Sequence, residues 1–408
     1  MSKSRVLTGI TTTGAPHLGN YVGAIRPAIA ASRDPGVESF YFLADYHALV
    51  KCDDPARIQQ STLEIAASWL ACGLDPEKVY FYRQSDIPEI PELTWLLTCI
   101  TAKGLLNRAH AYKSATDVNR EKGDDADAGI NAGLYMYPVL MAADILLFNA
   151  NKVPVGRDQI QHIEMARDIG QRFNHLYGSD YFTLPEASIE DNVATLPGLD
   201  GRKMSKSYDN TIPLWLPEKE LRKAIMGIVT DSSRPQTAED AQSSALYQII
   251  EAFNPDRGVL HAEIAKRMHE MGPGWGALKE HAFDSINEHI RPFREKYKTL
   301  IADPNDIERK LKAGAKRARE LSRPFVERLR HAVGLRSLSS GIGAAAEAKS
   351  ERAEKPALQP VVFREADAFA FKVLDARRDV LATQGGFADP KAAMAAARAA
   401  MESLNSGA

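Results

Sequence analysis

The sequence predicts an α/β protein in which a doubly wound parallel sheet is followed by an all-α helical domain and a small α+β module at the C-terminus. Short runs of aromatic and β-branched residues alternate with longer helical patterns in the first half of the chain. Strand signals then disappear beyond about residue 217, where the pattern becomes helical. A stretch of small and polar residues sets the C-terminal residues apart as a further module.

The sheet is predicted from runs that are too short and too rich in aromatic residues for helices. Four strands are expected at residues 5–10, 39–49, 78–86 and 151–156, and three helices at residues 55–73, 132–149 and 158–173. Pro55 suits the start of the first of these helices, and Gly73 suits its end. Because strand, helix and strand in succession imply parallel βαβ units, we expect a Rossmann-like sheet that binds ligands beyond the carboxyl ends of its strands.

The predicted domain organisation follows from these changes in pattern. We expect a Rossmann-like catalytic domain over 1–216 with a helical insertion at about 87–140, a helical domain over 217–337, a linker over 338–358 and an appended α+β module of unknown role over 359–408. The linker "LSSGIGAAAEAKSERAEKPAL" is poor in large apolar residues, which is why we separate the last module from the rest.

The composition is that of an ordinary soluble globular protein, with 408 residues, 44% of them hydrophobic and 25% charged. No membrane segment is expected, because the N-terminus lacks an apolar signal core and the most apolar run, "LYMYPVLMAADILLF", is short and contains Asp144. The cysteines at 52, 72 and 99 are far apart, so we expect reduced core thiols and no zinc or redox site.

The charge is nearly balanced, but its distribution is uneven. A formal net charge of -2 argues against a protein that coats nucleic acid, and no DNA partner is expected. Residues 289–337, however, contain 14 Lys or Arg against 6 Asp or Glu, and 14 - 6 = +8. The composition alone leaves open whether this segment is a solvated helix face or a functional basic surface.

Two stretches contain residues suited to binding phosphate. In "GITTTGAPHLGNYVGAI" the first strand gives way to a helix, and His17 and Asn20 lie on one face of its first turn. A helix N-terminus offers unpaired N–H groups to an anion. The second stretch, "GRKMSKS" at 201–207, combines three cations with two hydroxyls and no acid. An ordinary turn is the alternative for each stretch taken alone.

Together, these two stretches resemble the paired signatures of the class I aminoacyl-tRNA synthetases. The chain has His-Leu-Gly-Asn at the first strand–helix junction and Lys-Met-Ser-Lys-Ser after the sheet, in that order. The segments "YPVLMAADILLF" and "VPVGRDQIQHIEMARD" resemble one branch in particular, the tryptophanyl-tRNA synthetases of bacterial type. The resemblance runs from about Val6 to about Leu335 and leaves out only the tail.

The resemblance implies an enzyme that joins the tryptophan carboxylate to the α-phosphate of ATP, releases pyrophosphate and passes the tryptophanyl group to the terminal adenosine of tRNA(Trp). Mg²⁺ would be bound by the ATP phosphates, and no metal held by the protein is expected. The implied partners are L-tryptophan, tRNA(Trp) and a second copy in a homodimer, in the cytoplasm. The helical domain of this family recognises the anticodon, which favours a functional role for the basic segment.

The resemblance also implies site residues. His17, Lys203 and Lys206 are expected to be catalytic, with the two lysines neutralising the leaving pyrophosphate. The expected ATP-binding residues are Thr11, Thr12, Thr13, His17, Gly19, Asn20, Gly156, Arg157, Asp158, Lys203, Met204, Ser205, Lys206 and Ser207. Two positions depart from the family pattern: Arg157 replaces a common acid, and Thr11 stands where many members have Gln.

Asp144 is the most informative predicted tryptophan-binding residue. A carboxylate in an apolar helical run must have a hydrogen-bonding partner, and the indole N–H of tryptophan is a donor that needs an acceptor. A structural bond to a neighbouring N–H or arginine is the alternative. The expected tryptophan-binding residues are Gly9, His47, Tyr137, Met141, Asp144 and Gln159.

Two other functions are alternatives to a tryptophan–tRNA ligase. A small adenylyltransferase with a His-x-Gly-His motif would lack the helical domain and the complete Lys-Met-Ser-Lys-Ser sequence. A non-catalytic relative of the synthetases would be expected to have lost one signature, and both are present. The tyrosyl-tRNA synthetases are the nearest sibling family, and the "LMAADILLF" helix decides against them.

Overall fold

The computed structural model describes residues 3–12, 14–156, 159–189, 196–336, 338, 358–365, 367–375 and 379–406. The chain divides into two compact units, Met1–Val333 and Gly334–Ala408. The sheet and the long helices after residue 217 pack within the first of these units. A domain boundary at residue 216 stays a prediction.

The first unit is built around a five-stranded sheet in the order β3-β2-β1-β4-β5, and the four pairs of neighbouring strands are parallel. Its strands are β1 Ser4–Ile10, β2 Val37–Leu43, β3 Tyr80–Arg83, β4 Lys152–Val155 and β5 Glu186–Ile189. The chain moves outward from β1 in one direction and then in the other, so the predicted doubly wound α/β class is confirmed. The carboxyl ends of β1 and β4 lie side by side at the point where the order reverses.

The helices surround this sheet. Those of the first unit are α1 Leu18–Asn20, α2 Arg26–Ala31, α3 Asp45–Ala48, α4 Pro55–Ala71, α5 Glu89–Thr98, α6 Lys103–Leu106, α7 His110–Lys122, α8 Ala132–Leu147, α9 Ile160–Tyr177, α10 Glu218–Met226, α11 Ala245–Phe253, α12 Arg257–Met271, α13 Trp275–Ala302 and α14 Pro304–Ala332. A π-helical turn, Tyr21–Ile25, connects α1 to α2. No helix in the described part of the chain is both long and apolar enough to span a bilayer.

The structure corrects three details of the predicted strands. The second strand ends at Leu43 rather than at residue 49, because the chain turns into α3, where the Asp45 carboxylate accepts from the backbone N–H of Tyr46. The third strand ends at Arg83, and Gln84–Asp86 form a 3₁₀ turn. The short strand β5 is missing from the prediction, because "EASI" has no apolar run from which to recognise it.

The core lies on both faces of the sheet, and the alternation along β2 shows how. Phe40 and Phe42 point into the cluster that contains α5, α8 and α9, whereas Tyr41 and Leu43 point into the cluster that contains α4, α11 and α13. A parallel strand that is buried on both faces reads as a continuous apolar run. This is why "SFYFL" is recognisable as a strand.

The helix α14 packs against the edge strand β3 at very close range. A Cβ atom on Gly314 would lie 1.9 Å from the carbonyl oxygen of Phe81, so only glycine fits there. One turn later, the Arg317 guanidinium donates to the carbonyl oxygens of Pro76 and Val79 at 2.6 and 2.7 Å. These contacts attach the end of the helical region to the sheet.

The second unit is a three-stranded antiparallel sheet with one helix. Its elements are β6 Gln359–Glu365, β7 Ala368–Leu374, β8 Val380–Phe387 and the helix α15 Pro390–Ser406. Phe371 and Val373 of the central strand pack with Ala397 of the helix in a small core. The predicted strands followed by an alanine-rich helix are therefore confirmed.

The three cysteines are unpaired, but only one is a core residue. Cys72 is buried, Cys52 is half-buried and Cys99 is exposed. The expectation of three core thiols is therefore wrong for Cys99, which lies at the C-terminal end of α5, and only partly right for Cys52.

Candidate active site

The carboxyl ends of four neighbouring strands place three predicted site residues and one unpredicted residue, Gln84, at one edge of the sheet. Gly9 lies near the end of β1, His47 follows β2, Gln84 follows β3 and Gln159 follows β4. Parallel strands all end at the same edge, so residues from distant parts of the sequence meet there. The site consists of a nucleotide-sized cavity beside β1 and a buried polar cluster beneath α8.

The His-Leu-Gly-Asn turn is held by its own side chains. The Asn20 backbone N–H donates to Nδ1 of His17 at 3.2 Å, and the His17 backbone N–H donates to Oδ1 of Asn20 at 3.1 Å. This reciprocal pair is a capping box that closes the first turn of the helix. It explains why a histidine and an asparagine stand three residues apart.

The expectation of unpaired N–H groups at this helix start is wrong. The Leu18 N–H donates to the carbonyl of Ile212 at 2.9 Å, the Gly19 N–H to Sδ of Met204 at 3.3 Å, and the Asn20 N–H to His17. The loops around residues 204 and 212 pack onto the turn and take the donors that an anion would need. Positive charge for a phosphate must therefore come mainly from side chains.

A cavity of about 750 Å³ opens between this turn and the Lys-Met-Ser-Lys-Ser loop. Its lining comes from both signatures and from the π-helical turn, and includes Gly9, Thr11, His17, Gly19, Asn20, Gly23, Ala24, Ile25, Lys203, Met204, Ser205, Lys206 and Ser207. The hydroxyl of Thr12 is buried and has no hydrogen-bond partner among the described residues. The geometry brings together most of the predicted ATP-binding set.

The Lys-Met-Ser-Lys-Ser loop is organised by Asn210, which is 2% exposed. Its side-chain amide donates to Oδ1 of Asp200 at 2.7 Å and to the carbonyl of Lys203 at 3.1 Å, and its Oδ1 accepts from the Ser205 N–H at 2.8 Å. The Ser205 hydroxyl caps the short turn Lys206–Tyr208. One buried amide thus fixes the backbone on both sides of Met204, which is itself 4% exposed.

Lys206 extends toward the first loop. A Cβ atom on Gly14 would lie 3.4 Å from Nζ of Lys206, so the ammonium group lies close to this glycine. Burial lowers the pKa of Lys206, and the nearby carboxylate of Glu64 partly opposes that effect. Lys203 is exposed at the rim of the cavity.

His17 is neutral at physiological pH. Burial, assisted by the positive charge of Lys206, lowers the pKa of His17 to about 4. Because Nδ1 accepts from the Asn20 N–H, the single proton of the neutral ring resides on Nε2. His17 is therefore a neutral hydrogen-bond donor that lines the cavity.

Asp144 is 1% exposed and is bound by two protein side chains. The Gln84 amide donates to both carboxylate oxygens, at 2.8 and 3.0 Å, and Nε2 of His47 lies 2.9 Å from Oδ2. Burial raises the pKa of Asp144, while these hydrogen bonds work in the opposite direction. A carboxylate has about four lone-pair positions, so these three contacts leave an acceptor position for a further donor.

A second polar chain lies next to this cluster. The His47 and Tyr137 rings meet edge to face with centroids 6.4 Å apart, and the Tyr137 hydroxyl lies 2.5 Å from Nε2 of His162. Nδ1 of His162 is 2.9 Å from Oε1 of Gln159. If Gln159 accepts from Nδ1–H, then Nε2 accepts from the tyrosine hydroxyl, and every contact in the chain is satisfied.

The structure brings most predicted residues together, in two groups. His47, Tyr137, Asp144 and Gln159 belong to the connected polar cluster, and Met141 packs beside them on α8 as a partly buried residue. Gly9 lines the nucleotide cavity, and a Cβ atom on it would lie 2.9 Å from the ring of Phe42. Gly156 is exposed, and its carbonyl accepts from the Gln159 N–H.

Three of the predicted ATP-binding residues, Thr13, Arg157 and Asp158, lie outside the described residues.

Sequence reasoning missed three residues that organise the site: Gln84, His162 and Asn210. Gln84 is 0% exposed, and its position directly after the strand Tyr80–Arg83 is the signal that could have revealed it, because ligands bind beyond the carboxyl ends of parallel strands. His162 lies in the segment "QHIEMARD", where nothing local distinguishes it from an ordinary helical histidine. Asn210 follows a serine, a tyrosine and an aspartate, which resembles an ordinary surface turn.

The basic segment 289–337 coincides with the end of α13 and with α14. Part of its charge is neutralised inside the chain, because Arg319 pairs with Glu89 and Arg330 with Glu92. Lys316 and Arg323 are exposed on α14, line a groove there, and make no ion pair within the described ranges. Ion pairs within the chain therefore neutralise part of the basic charge, and the functional interpretation of the segment stays a prediction.

Comparison with known proteins identifies the family. Residues 1–291 match the family described as tRNA synthetases class I (W and Y). A tryptophan–tRNA ligase of Pseudomonas putida is 60% identical over 400 residues, which are 97% of this chain and 88% of that protein. One of Xanthomonas campestris is 59% identical over 392 residues, 96% of this chain and 90% of that protein. These matches extend into the C-terminal unit, so the expectation that the resemblance ends near Leu335 is wrong.

Solved structures agree with this. The crystal structure of the tryptophanyl-tRNA synthetase from Campylobacter jejuni, complexed with ADP and tryptophan, matches with a TM-score of 0.72 and 40% identity, over 81% of this chain and 99% of that one. The tryptophanyl-tRNA synthetase from Mycoplasma pneumoniae matches with a TM-score of 0.67 and 25% identity, over 83% and 100% of the two chains. The resemblance inferred from the two signatures is confirmed, and the chain belongs to the tryptophanyl branch of the class I tRNA synthetases.

Proposed function

We propose that this chain is a tryptophan–tRNA ligase that activates L-tryptophan with ATP at the edge of the sheet and then transfers the tryptophanyl group to the 3′-terminal adenosine of tRNA(Trp). The hydrogen bond from the Gly19 N–H to Sδ of Met204 supports this most directly, because it joins the two signatures around one cavity. The 60% identity to a tryptophan–tRNA ligase over nearly the whole chain agrees with this reaction.

ATP occupies the cavity between the two signatures. Its phosphates lie toward Lys203 and Lys206, and its ribose lies toward the segment after β4 that begins at Gly156. The Thr12 hydroxyl is buried and has no hydrogen-bond partner among the described residues, but Thr12 is not part of the cavity lining, so its contact to the nucleotide stays a prediction. Mg²⁺ arrives bound to the phosphates of ATP. Thr11, Thr13, Arg157 and Asp158 remain proposed contacts to the same nucleotide.

The chemical step needs positioned groups rather than a protein nucleophile. An oxygen of the tryptophan carboxylate attacks the α-phosphorus, the bond from that phosphorus to the bridging oxygen breaks, and pyrophosphate leaves with the bonding electrons. Lys203 and Lys206 supply positive charge where negative charge grows on the leaving group. His17 donates from Nε2 to a phosphate oxygen, which suits its neutral state.

Tryptophan is selected by a hydrogen bond in an apolar slot. The indole N–H donates to Asp144, whose remaining acceptor position is kept in place by Gln84 and His47. Met141 and Tyr137 lie one and two turns before Asp144 on α8 and form part of the wall. Phenylalanine has no donor for Asp144 and is rejected because that buried acceptor would lose its partner.

The tRNA is held by the helical region. We assign its backbone contacts to Lys316 and Arg323, two exposed cations of the groove on α14 that make no ion pair among the described residues, because phosphate contacts need cations without a carboxylate partner. The enzyme acts as a homodimer in the cytoplasm, and Trp95 on α5, 67% exposed, is a candidate contact between the two copies.

The decisive experiment is ATP–pyrophosphate exchange with each amino acid supplied in turn. Exchange that depends on tryptophan supports the proposal, whereas dependence on tyrosine or the absence of exchange overturns it.

A second assay measures charging of tRNA by the double variant Lys316→Ala/Arg323→Ala. We expect a raised KM for tRNA with normal exchange, and an unchanged KM would contradict the assignment of tRNA to α14.

A further inference from the structure

A partly buried hydrogen bond connects the turn after β1 to the helical region 268 residues later in the sequence. The hydroxyl of Tyr21 lies 2.6 Å from Nε2 of His289, which is on the long helix α13. Tyr21 follows directly after the His-Leu-Gly-Asn turn, and its side chain is 3% exposed. The bond therefore joins the middle of α13 to the helical turn that follows β1.

Both partners are neutral. Burial is the main cause that raises the pKa of Tyr21, to about 12, so the phenol keeps its proton. Burial, with a smaller effect of Arg26, lowers the pKa of His289. Among the described hydrogen bonds the Tyr21 hydroxyl has no acceptor other than Nε2 of His289, so the O–H donates to Nε2 and the proton of the imidazole is on Nδ1.

The surroundings of His289 hold it in place. Its ring meets the rings of Phe253 and Phe293 edge to face, at centroid distances of 5.4 and 5.7 Å. Tyr21 also contacts both phenylalanine rings, and Arg26 lies 5.9 Å from the centroid of its ring. His289 is thus surrounded by aromatic rings. Its Nε2 accepts from the hydroxyl of Tyr21, which lies in the same cluster.

Tyr21 is also the first residue of the π-helical turn Tyr21–Ile25, in which the Arg26 N–H donates to the Tyr21 carbonyl five residues back. Gly23, Ala24 and Ile25 of this turn line the nucleotide cavity. A π turn carries one residue more than an α turn, and such turns are rare and concentrated at functional sites. Relaxation to α geometry would move this lining by about one residue, a rotation of about 100°.

We propose that His289 is a positioning residue for ATP, which holds Tyr21 and thereby keeps the π-helical turn in the geometry that forms the nucleotide cavity. This rests on the proposed function, because it takes the cavity to be the ATP site. His289 touches no substrate and acts through Tyr21. Its effect is specific for the nucleotide, because the tryptophan cluster under α8 shares no hydrogen bond with it among the described contacts.

The test measures ATP–pyrophosphate exchange for the variants His289→Ala, His289→Gln and Tyr21→Phe, with the KM of ATP and the KM of tryptophan determined separately. We expect His289→Ala to raise the KM of ATP about tenfold, the size expected for one buried hydrogen bond, with the KM of tryptophan within about twofold of wild type. His289→Gln should restore most of the affinity for ATP, since its amide oxygen can accept from the tyrosine.

Tyr21→Phe removes only the hydroxyl. It therefore shows whether the effect of His289→Ala comes from the lost hydrogen bond or from a general loss of structure. Its effect on ATP should equal that of His289→Ala, and the double variant should be no worse than either, because both remove the same bond. His269→Ala, on the exposed side of α12, is the matched control and should behave as wild type.

Three results would overturn the inference: an unchanged KM for ATP in Tyr21→Phe, equal changes in the KM of ATP and of tryptophan, or effects of the two single variants that multiply in the double variant. Exchange measured with the wild-type protein distinguishes failure of this inference from failure of the proposed function. Wild-type exchange with normal variants overturns the positioning role alone, whereas no wild-type exchange with tryptophan overturns both.

Discussion

Replacement of Asp144 by asparagine tests the proposed tryptophan slot, and the structure shows how the protein would accommodate the change. The new side chain keeps one acceptor, its amide oxygen, which can still accept from the Gln84 amide. Gln84 cannot reverse its amide, because its Oε1 accepts from the Tyr46 N–H at 3.1 Å. His47 can change tautomer, so that its Nε2 accepts from the new amide group. The fold should therefore survive with a small loss of stability.

The ligand, by contrast, loses a charged acceptor. In the Asp144→Asn variant the neutral amide oxygen accepts from Gln84, and the NH₂ group, which donates to His47, cannot accept from the indole N–H. A hydrogen bond to a charged group contributes about 1.5–3 kcal/mol, and each 1.4 kcal/mol is a factor of ten, so kcat/KM for tryptophan should fall by about 10-fold to 150-fold. The KM of ATP should stay near the wild-type value, because the nucleotide cavity is lined by other residues.

The assay is ATP–pyrophosphate exchange at varied tryptophan, with thermal unfolding measured in parallel. The control is Asp117→Asn, which removes the same charge from a partly exposed position on α7 that pairs with Arg120. Normal tryptophan activation by a folded Asp144→Asn enzyme would refute the acceptor role. That result would leave Asp144 as a structural partner of Gln84 and His47 alone.

Four further predictions follow from the geometry. Lys206→Ala should slow adenylate formation by at least about 100-fold while tryptophan binding changes little; equal losses in rate and binding would contradict a role in the transition state, and Lys219→Ala on α10 is the control. The NMR signal of His17, assigned by its loss in His17→Asn, should titrate with a pKa of about 4; a midpoint near 6.5 would contradict its buried neutral state. Because this pKa is depressed, the stability associated with His17 is complete above pH 6.5 and falls as the pH drops from about 6.5 to about 4. Gly314→Ala should lower the free energy of unfolding by about 1–3 kcal/mol, because its Cβ would meet the Phe81 carbonyl; unchanged urea denaturation would show that α14 can move away at no cost. Deletion of residues 339–408 should leave exchange intact, since the described lining of the cavity lies within the first unit; lost exchange in a folded protein would assign the last unit a part in catalysis.

Some of the fold and the site could be predicted because the signals are local. Buried parallel strands such as "SFYFL" are continuous apolar runs, and the helix α4 begins at a proline and ends before a glycine. The His17–Asn20 pair is a contact between residues three apart, and Asp144 is conspicuous because a carboxylate interrupts an apolar helix. In each case a single stretch of chain contains the physical reason for the structure.

The errors came from contacts between distant residues. The sequence predicts free N–H groups at the helix start after β1. In the structure, Met204 and Ile212, about 190 residues later in the chain, accept hydrogen bonds from the N–H groups of Gly19 and Leu18. The predicted second strand runs past Leu43, because the sequence does not reveal that the Asp45 carboxylate also accepts from the Ser85 N–H at 3.0 Å and so draws the chain away from the sheet.

The sequence by itself determined the α/β class, the two nucleotide signatures and the buried carboxylate, since these depend on apolar periodicity and on residues that are neighbours along the chain. Only the tertiary structure decided which polar groups form hydrogen bonds with each other. Gln84 meets Asp144 across 60 residues, and Gly19 meets Met204 across 185. Such pairs leave no periodic pattern, because a hydrogen bond depends on positions in space that only the packing of sheet and helices defines.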